Sequence, residues 1–230
     1  PGGPSAPGTA VGSGPGCGTG LGRFPSVMVH PWLLSSAQTA LAPSVDLADA
    51  RAAVLEAEGV DGMQTDPVRQ RICDLIDSRP RPLHRDERPG HLTGSGLVVD
   101  HEARLTLMML HAKLGIWVQP GGHADGDANL AAVALREATE ETGIADLRVW
   151  PRAIDLDVHL VDPPGEDRHE HHDVRFLVLA PPGAIEVRNH ESRELRWVAE
   201  DELMGLGVDE GVRRLARRGL ALAARLVAAP

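Results

Sequence analysis

From about residue 90 onward, short apolar runs alternate with charged or glycine-rich breaks. The runs "LTGSGLVVD", "ARLTLMMLH" and "GIWVQP" have strand composition and are separated by polar turns. "LRVWP", "DLDVHLV", "HDVRFLVLA" and "ELRWVAE" predict further strands. Between the two groups the apolar period lengthens to that of a helix, predicted over about Ala128 to Thr142, with Asp127 as N-cap and Gly143 as the stop. "EDELMGLG" predicts a short helix. "DEGVRRLARRGLALAARLVAA" predicts a terminal helix, within residues 209–228, whose apolar face docks on the domain. Strands that come both as neighbours and around a helix predict an α/β fold, with a mixed sheet covered by helices on both faces.

Upstream the pattern differs. Asp46 to Glu58 has helix-forming composition with Asp46 as cap. Asp66-Pro67 opens a second helix with Asp66 as N-cap, and its Val68, Ile72, Leu75 and Ile76 share one face. "RPRPLHRDERPGH" reads as a linker. Residues 1–22 are rich in Gly, Pro, Ser and Ala and cannot bury enough surface to offset ordering. The expected organisation is therefore a disordered extension over 1–42, a helical lead-in and linker over 43–89, and a domain over 90–222. A helical interaction protein led by residues 46–78 is a rival organisation.

Composition narrows the function. The 230 residues carry 33 acids against 23 bases, a formal net charge of −10, which argues against a nucleic-acid polymer as partner. No apolar run approaches the roughly 18 residues of a membrane span, so no membrane partner is expected. Val27 to Ala42 comes nearest to a targeting signal, but His30 and Pro31 interrupt it. Cys17 and Cys73 form no ligand spacing or disulfide framework, which fits a reduced, cytoplasmic setting.

The informative stretch is "PGGHADGDANLAAVALREATEETGI", Pro120 to Ile144. On a helix, Glu140 and Glu141 fall about 60° and 40° to either side of Glu137, so three carboxylates share one face. Like charges at these spacings cost roughly 0.2–0.5 kcal/mol per pair, and the helix C-terminus adds to the cost. Leu130, Val133 and Ala134 on the same face make it unlike a plain solvated surface. A hard divalent cation with oxygen ligands turns this repulsion into attraction. Gly121-Gly122 lets backbone approach such an ion or a phosphate closely.

These residues resemble the Nudix hydrolases, whose signature is G-x5-E-x7-R-E-U-x-E-E-x-G-U with U apolar. Arg136, Glu137, Ala138, Glu140, Glu141, Gly143 and Ile144 match its second half in full, and Gly122 takes the place of the first glycine. The glutamate expected between them falls on Ala128, with Asp127 one residue early, a departure that bears on the loop rather than on metal binding. "ESRELRWVAEDEL" is also similar to the strand and short helix that often follow. The resemblance covers about residues 90–222. It implies a Nudix-type α/β/α sandwich and Mg²⁺- or Mn²⁺-dependent hydrolysis of a small-molecule nucleoside diphosphate linked to another group, by a monomer or homodimer. It further implies Glu137 and Glu141 as main metal ligands, Glu140 as a third ligand or base, Arg136 as their orienting partner, and a carbonyl of Gly121 or Gly122 completing the site. A non-catalytic nucleotide sensor on the same fold is the alternative.

Recognition of the variable group is expected from outside this box. Asp162 to Asp173 reads as a loop between two strands and offers Arg168, His169, His171 and His172. A transition-metal site is a second reading of these histidines. Their spacing closes no familiar site, and strand alternation would split His171 from His172. His123, directly after Gly122, is a further candidate for substrate contact; His91 and His111 read as structural.

Overall fold

The computed structural model describes residues 2–3, 32–58, 66–162 and 165–228. Most of the expected extension, residues 1 and 4–31, lies outside the described residues, as does the side chain of the expected cap Asp66. The elements are helices α1 (Leu47–Leu55), α2 (Asp66–Ser78), α3 (Leu130–Thr142) and α4 (Glu210–Ala228). The strands are β1 (Gly90–Val99), β2 (Thr106–His111), β3 (Trp117–Val118), β4 (Gly121–His123), β5 (Arg148–Val149), β6 (Asp155–Val161), β7 (His169–Leu179) and β8 (Ser192–Val198). All eight strands form one mixed sheet.

β1 is its hub. It runs parallel to β7 along its whole length. Its other edge pairs antiparallel with β4 near the start and with β2 at the end. β6 and β5 add antiparallel to the far edge of β7. The third predicted strand, "GIWVQP", shortens to Trp117–Val118, which pairs with β2; beyond it Gly121-Gly122-His123 forms β4, a strand not expected, against Thr93–Ser95. No side-chain pattern could mark two glycines as strand. β7 also begins at His169, before the expected start.

Helices cover both faces, as the alternation of patterns predicts. On one face, Leu130, Val133, Ala134 and Ala138 of α3 pack with Val98, Phe176 and Val178. On the other, Leu215, Leu222, Ala223 and Leu226 of α4 pack on Leu97, Val99, Ile154 and Leu177. A buried polar network continues that second interface. Asp155 accepts from Arg214 Nε and Nη2 at 2.8 and 2.9 Å, and from Arg218. Arg175 joins Asp155, Asp157 and Asp173. Thr93 and Ser95 complete the shell of Asp173. Among the described residues no helix is long and apolar enough to cross a membrane.

Three expectations need correction. Asp127 does not cap α3: Asn129 does, its Oδ1 accepting from Ala132 N. Asp127 instead accepts from Ser44 N and Asn129 N, tying the incoming chain to the helix start. Ala128, where the signature expects glutamate, is fully buried and its N–H donates to the Ser44 carbonyl. Next, "RPRPLHRDERPGH" is a packed segment rather than a linker. Leu83 is buried, Pro82 O accepts from Leu92 N, and Leu83 O accepts from Gly126 N. α1 and α2 feed Ala50, Val54, Ile72, Leu75 and Ile76 into the same core as α3, so they are no separate module. Finally, the disorder expected up to residue 42 does not extend over residues 32–42. Leu33 and Leu41 are buried, and Leu34 bridges Val149 by two backbone bonds of 2.9 Å. Isolated apolar anchors of this kind carry no periodicity to read.

Candidate active site

α3 and β4 face each other across the site. Gly143, at φ +64°, ends α3 so that Glu137 and Glu141 in its last turns look at β4. Glu141 is 4% exposed, and Gly121 N–H donates to its Oε2 at 2.8 Å. Burial raises the Glu141 carboxyl to about 8, working against the Gly121 bond and helped by Glu191 and Glu137. Burial also raises Glu137, although Arg136 pulls the other way. Arg136 Nη2 donates to Glu137 Oε1 at 2.9 Å and to the His123 carbonyl at 3.3 Å, so one guanidinium joins the helix to the strand.

The two glycines are required by space. A Cβ on Gly122 would stand 2.5 Å from Glu137 Oε2, and one on Gly121 would stand 2.9 Å from Ser95 Cα. Glu140 lies near enough to Glu137 to push its carboxyl up further, but it stays at the rim rather than in the buried pair. It is exposed and borders a cavity of about 310 Å³ with Arg136, Thr139, Asp127 and Leu41. Glu191, just before β8, opens the stretch "ESRELRWVAEDEL" but carried no site expectation, because nothing local to it points at the acidic turn of α3. It enters through its influence on Glu137 and Glu141. The donors around β4 are thus carboxylates in mutual repulsion, two of them largely buried. That oxygen-rich, over-charged set fits Mg²⁺ or Mn²⁺, which take oxygen ligands.

The remaining site candidates divide. His169, His171 and His172 do not lie on a loop: all three are in β7, where burial and ladder pairing order them. His172 faces α2's side of the sheet with Glu170, which accepts from Arg71 at 2.8 Å. His169 and His171 face the other side, beside His91 and His123. Arg168 is exposed in the turn before β7. His91, read as structural from sequence, is fully buried at the centre of this group.

A family model described as the NUDIX domain matches residues 92–218, and the chain belongs to that family. A Mycobacterium tuberculosis H37Rv protein named "Putative 8-oxo-dGTP diphosphatase 3" is 35% identical over 99 residues, 42% of this chain and 43% of that protein. The chain therefore spans less than half the length of the curated relatives it matches. Among solved structures, a C. elegans Ap4A hydrolase binary complex is similar with a TM-score of 0.49 and 16% identity, over 58% of this chain and 98% of that one. A Nudix hydrolase from M. smegmatis, RenU, has a TM-score of 0.45 and 26% identity, over 59% and 88%.

Proposed function

We propose that this chain is a Mg²⁺- or Mn²⁺-dependent pyrophosphohydrolase acting on a nucleoside diphosphate linked to another group. The observation that carries the reading is the seating of two buried-side carboxylates on a strand of bare backbone: Glu141 on Gly121 N–H at 2.8 Å, and Glu137 over Gly122. A hard cation held by Glu137 and Glu141 would supply charge neutralisation for the diphosphate and a more acidic water. The chain's own residues do the rest. Arg136 fixes Glu137 by a charge-assisted bond and keeps it in register with β4. Glu140, exposed beside them, and Glu191, across from Glu141, are the candidates for the base that takes the proton of the attacking water. Glu140 is also the candidate third ligand, and a carbonyl of Gly121 or Gly122 the candidate backbone ligand. Arg168, exposed next to β7, is the candidate for contact with the variable group.

The test is a hydrolysis panel with Mg²⁺ or Mn²⁺ and chromatographic identification of products. It includes nucleotide sugars, ADP-ribose, dinucleoside polyphosphates and, given the name of the mycobacterial relative, 8-oxo-dGTP. The expected result is metal-dependent cleavage within the diphosphate of one class. Calorimetric binding of a panel member without hydrolysis in either metal would overturn the enzymatic reading in favour of a sensor.

A further inference from the structure

Five imidazoles meet on the sheet face turned away from α3; the outermost, His159, touches His171 at a ring-centroid distance of 5.5 Å and is bound to Asp157. The strand register brings them there: Thr93 of β1 lies opposite His123 of β4, and His91 opposite His171 of β7. Ring nitrogens of His91, His123 and His171 all lie within 4.8 Å of one another. His169 sits on the same face, its ring centroid 4.9 Å from that of His91 and 5.2 Å from that of His171.

Packing alone does not account for this group. His91 is fully buried; its ring lies close to the Glu87 backbone, but neither ring nitrogen reaches hydrogen-bond geometry with a partner. His169, 2% exposed, donates Nδ1–H to the Asp167 carbonyl at 2.6 Å, which leaves a buried Nε2 without a partner. A buried polar atom left unpaired costs about 1–3 kcal/mol, and native interiors tolerate few. Neutral imidazoles present lone pairs, and what lone pairs around one point lack is a Lewis acid.

We propose that His91, His123 and His171, with His169 as fourth donor, form a site for a borderline divalent transition metal, Zn²⁺ being the natural occupant. Imidazole nitrogens suit Zn²⁺ and its neighbours, whereas Mg²⁺ prefers oxygen. Zn–N bonds of about 2.0–2.1 Å set tetrahedral nitrogens roughly 3.4 Å apart, within reach of modest ring rotations from the observed spacing. The Nδ1–H to carbonyl bond of His169 is the usual support of a metal-bound imidazole. Such an ion would staple β4 to β1 and β7. His123 follows Gly122 directly, and its carbonyl accepts from Arg136. The staple would therefore fix the strand on which Glu137 and Glu141 rest. This assigns His123, His169 and His171 to structure rather than to substrate, and does not depend on the proposed hydrolysis.

The experiment uses the untagged 230-residue chain, stripped with chelator and titrated in excess Mg²⁺ with Zn²⁺ by calorimetry and with Co²⁺ by visible absorption. The expected result is about one Zn²⁺ per chain and the intense d–d bands of a tetrahedral Co²⁺ site. His123→Gln and His171→Gln should each raise the Zn²⁺ Kd at least ~10-fold, the low end for losing even a group that supports a metal-bound imidazole. Glu141→Gln should leave it unchanged. Absence of Zn²⁺ uptake by the wild-type chain overturns the proposal, as does uptake lost in Glu141→Gln but kept in both histidine variants. Should the histidine variants not fold, ¹⁵N NMR of the wild type decides. Zn²⁺ must shift the ring nitrogens of His91, His123 and His171, and unshifted rings refute the site.

Discussion

Gly121 gives its backbone N–H to the Glu141 carboxylate at 2.8 Å, across 20 residues of sequence. This bond holds a mostly buried acid at the edge of the sheet, where a cation can use it. Glu141→Gln preserves shape and the ability to accept that bond but removes the charge. Turnover should fall at least about 100-fold, a transition-state loss of roughly 2.7 kcal/mol. Steady-state kinetics in saturating Mg²⁺ checks this, and near-normal kcat would remove Glu141 from the metal site.

Gly122→Ala tests the bare strand itself. The added Cβ would come 2.5 Å from Glu137 Oε2, the far end of a flexible side chain. The carboxylate can swing away, so the fold should survive while the Glu137 position is lost. The expected outcome is a Tm near that of the parent with a much higher Mg²⁺ concentration needed for half-maximal activity. A collapse of Tm with unchanged Mg²⁺ dependence would mean that Gly122 serves packing alone.

The chain's own patterning explains which features were legible. Strand β6 could be read at its observed bounds, because Asp155 to Val161 alternates cleanly, and α4 could be read from its apolar face. The turn holding Glu137 and Glu141 was legible because like charges on one helical face demand a cause. β4 was not: Gly121 and Gly122 have no side chains with which to alternate, and their strand pairing comes entirely from Ser95 and Gly94 across the ladder. The histidine group was not legible either. His91, His123 and His171 are far apart in sequence and meet only through the β1–β4 and β1–β7 registers. Glu191 has the same character: it opens "ESRELRWVAEDEL", yet only the fold brings it to Glu137 and Glu141.

Asp155 is the keystone between α4 and the sheet. It is fully buried and accepts from Arg175, Arg214 and Arg218. Asp155→Ala leaves those guanidiniums without their common acceptor. Breaking a buried pair by removing one partner costs about 3–5 kcal/mol. At roughly 2–4 °C per kcal/mol for a chain of this size, Tm should fall by about 6–20 °C. Differential scanning calorimetry measures it; a drop under a few degrees would show that solvent replaces the lost acceptor.

Acid should weaken the same region. Burial pushes the Asp157 carboxyl up, but the His159 hydrogen bond and the Arg175 and Arg214 charges outweigh it and hold the group below the usual carboxylate range. Because the folded value lies below the unfolded value of about 3.9, its stabilisation is complete above that pH and is lost as pH falls further. The stability gap between the parent and Asp157→Asn should therefore be constant near neutrality and shrink below about pH 4. Urea melts across that window supply the comparison, and a gap that widens in acid would reverse the sign argued here.

Two truncations separate the N-terminal segment into parts. A chain starting at Trp32 should keep activity and Tm, since the elements that build the site begin later. A chain starting at Val45 should not. It loses Leu33 and Leu41, which are 3% and 6% exposed. Burying each such side chain contributes about 1.5–3 kcal/mol. It also loses the Ser44 N–H to Asp127 at 3.0 Å, and the Ala40 and Ala42 carbonyls that accept from Asn129, the cap of α3. The start of α3 would be left without its outer support, with Glu137 and Glu141 at the other end of the same helix. The expected outcome is a lower Tm and a reduced kcat for the shorter chain, read by thermal melts and kinetics side by side. Equal melting of the two chains would show that residues 32–44 rest on the domain without stabilising it.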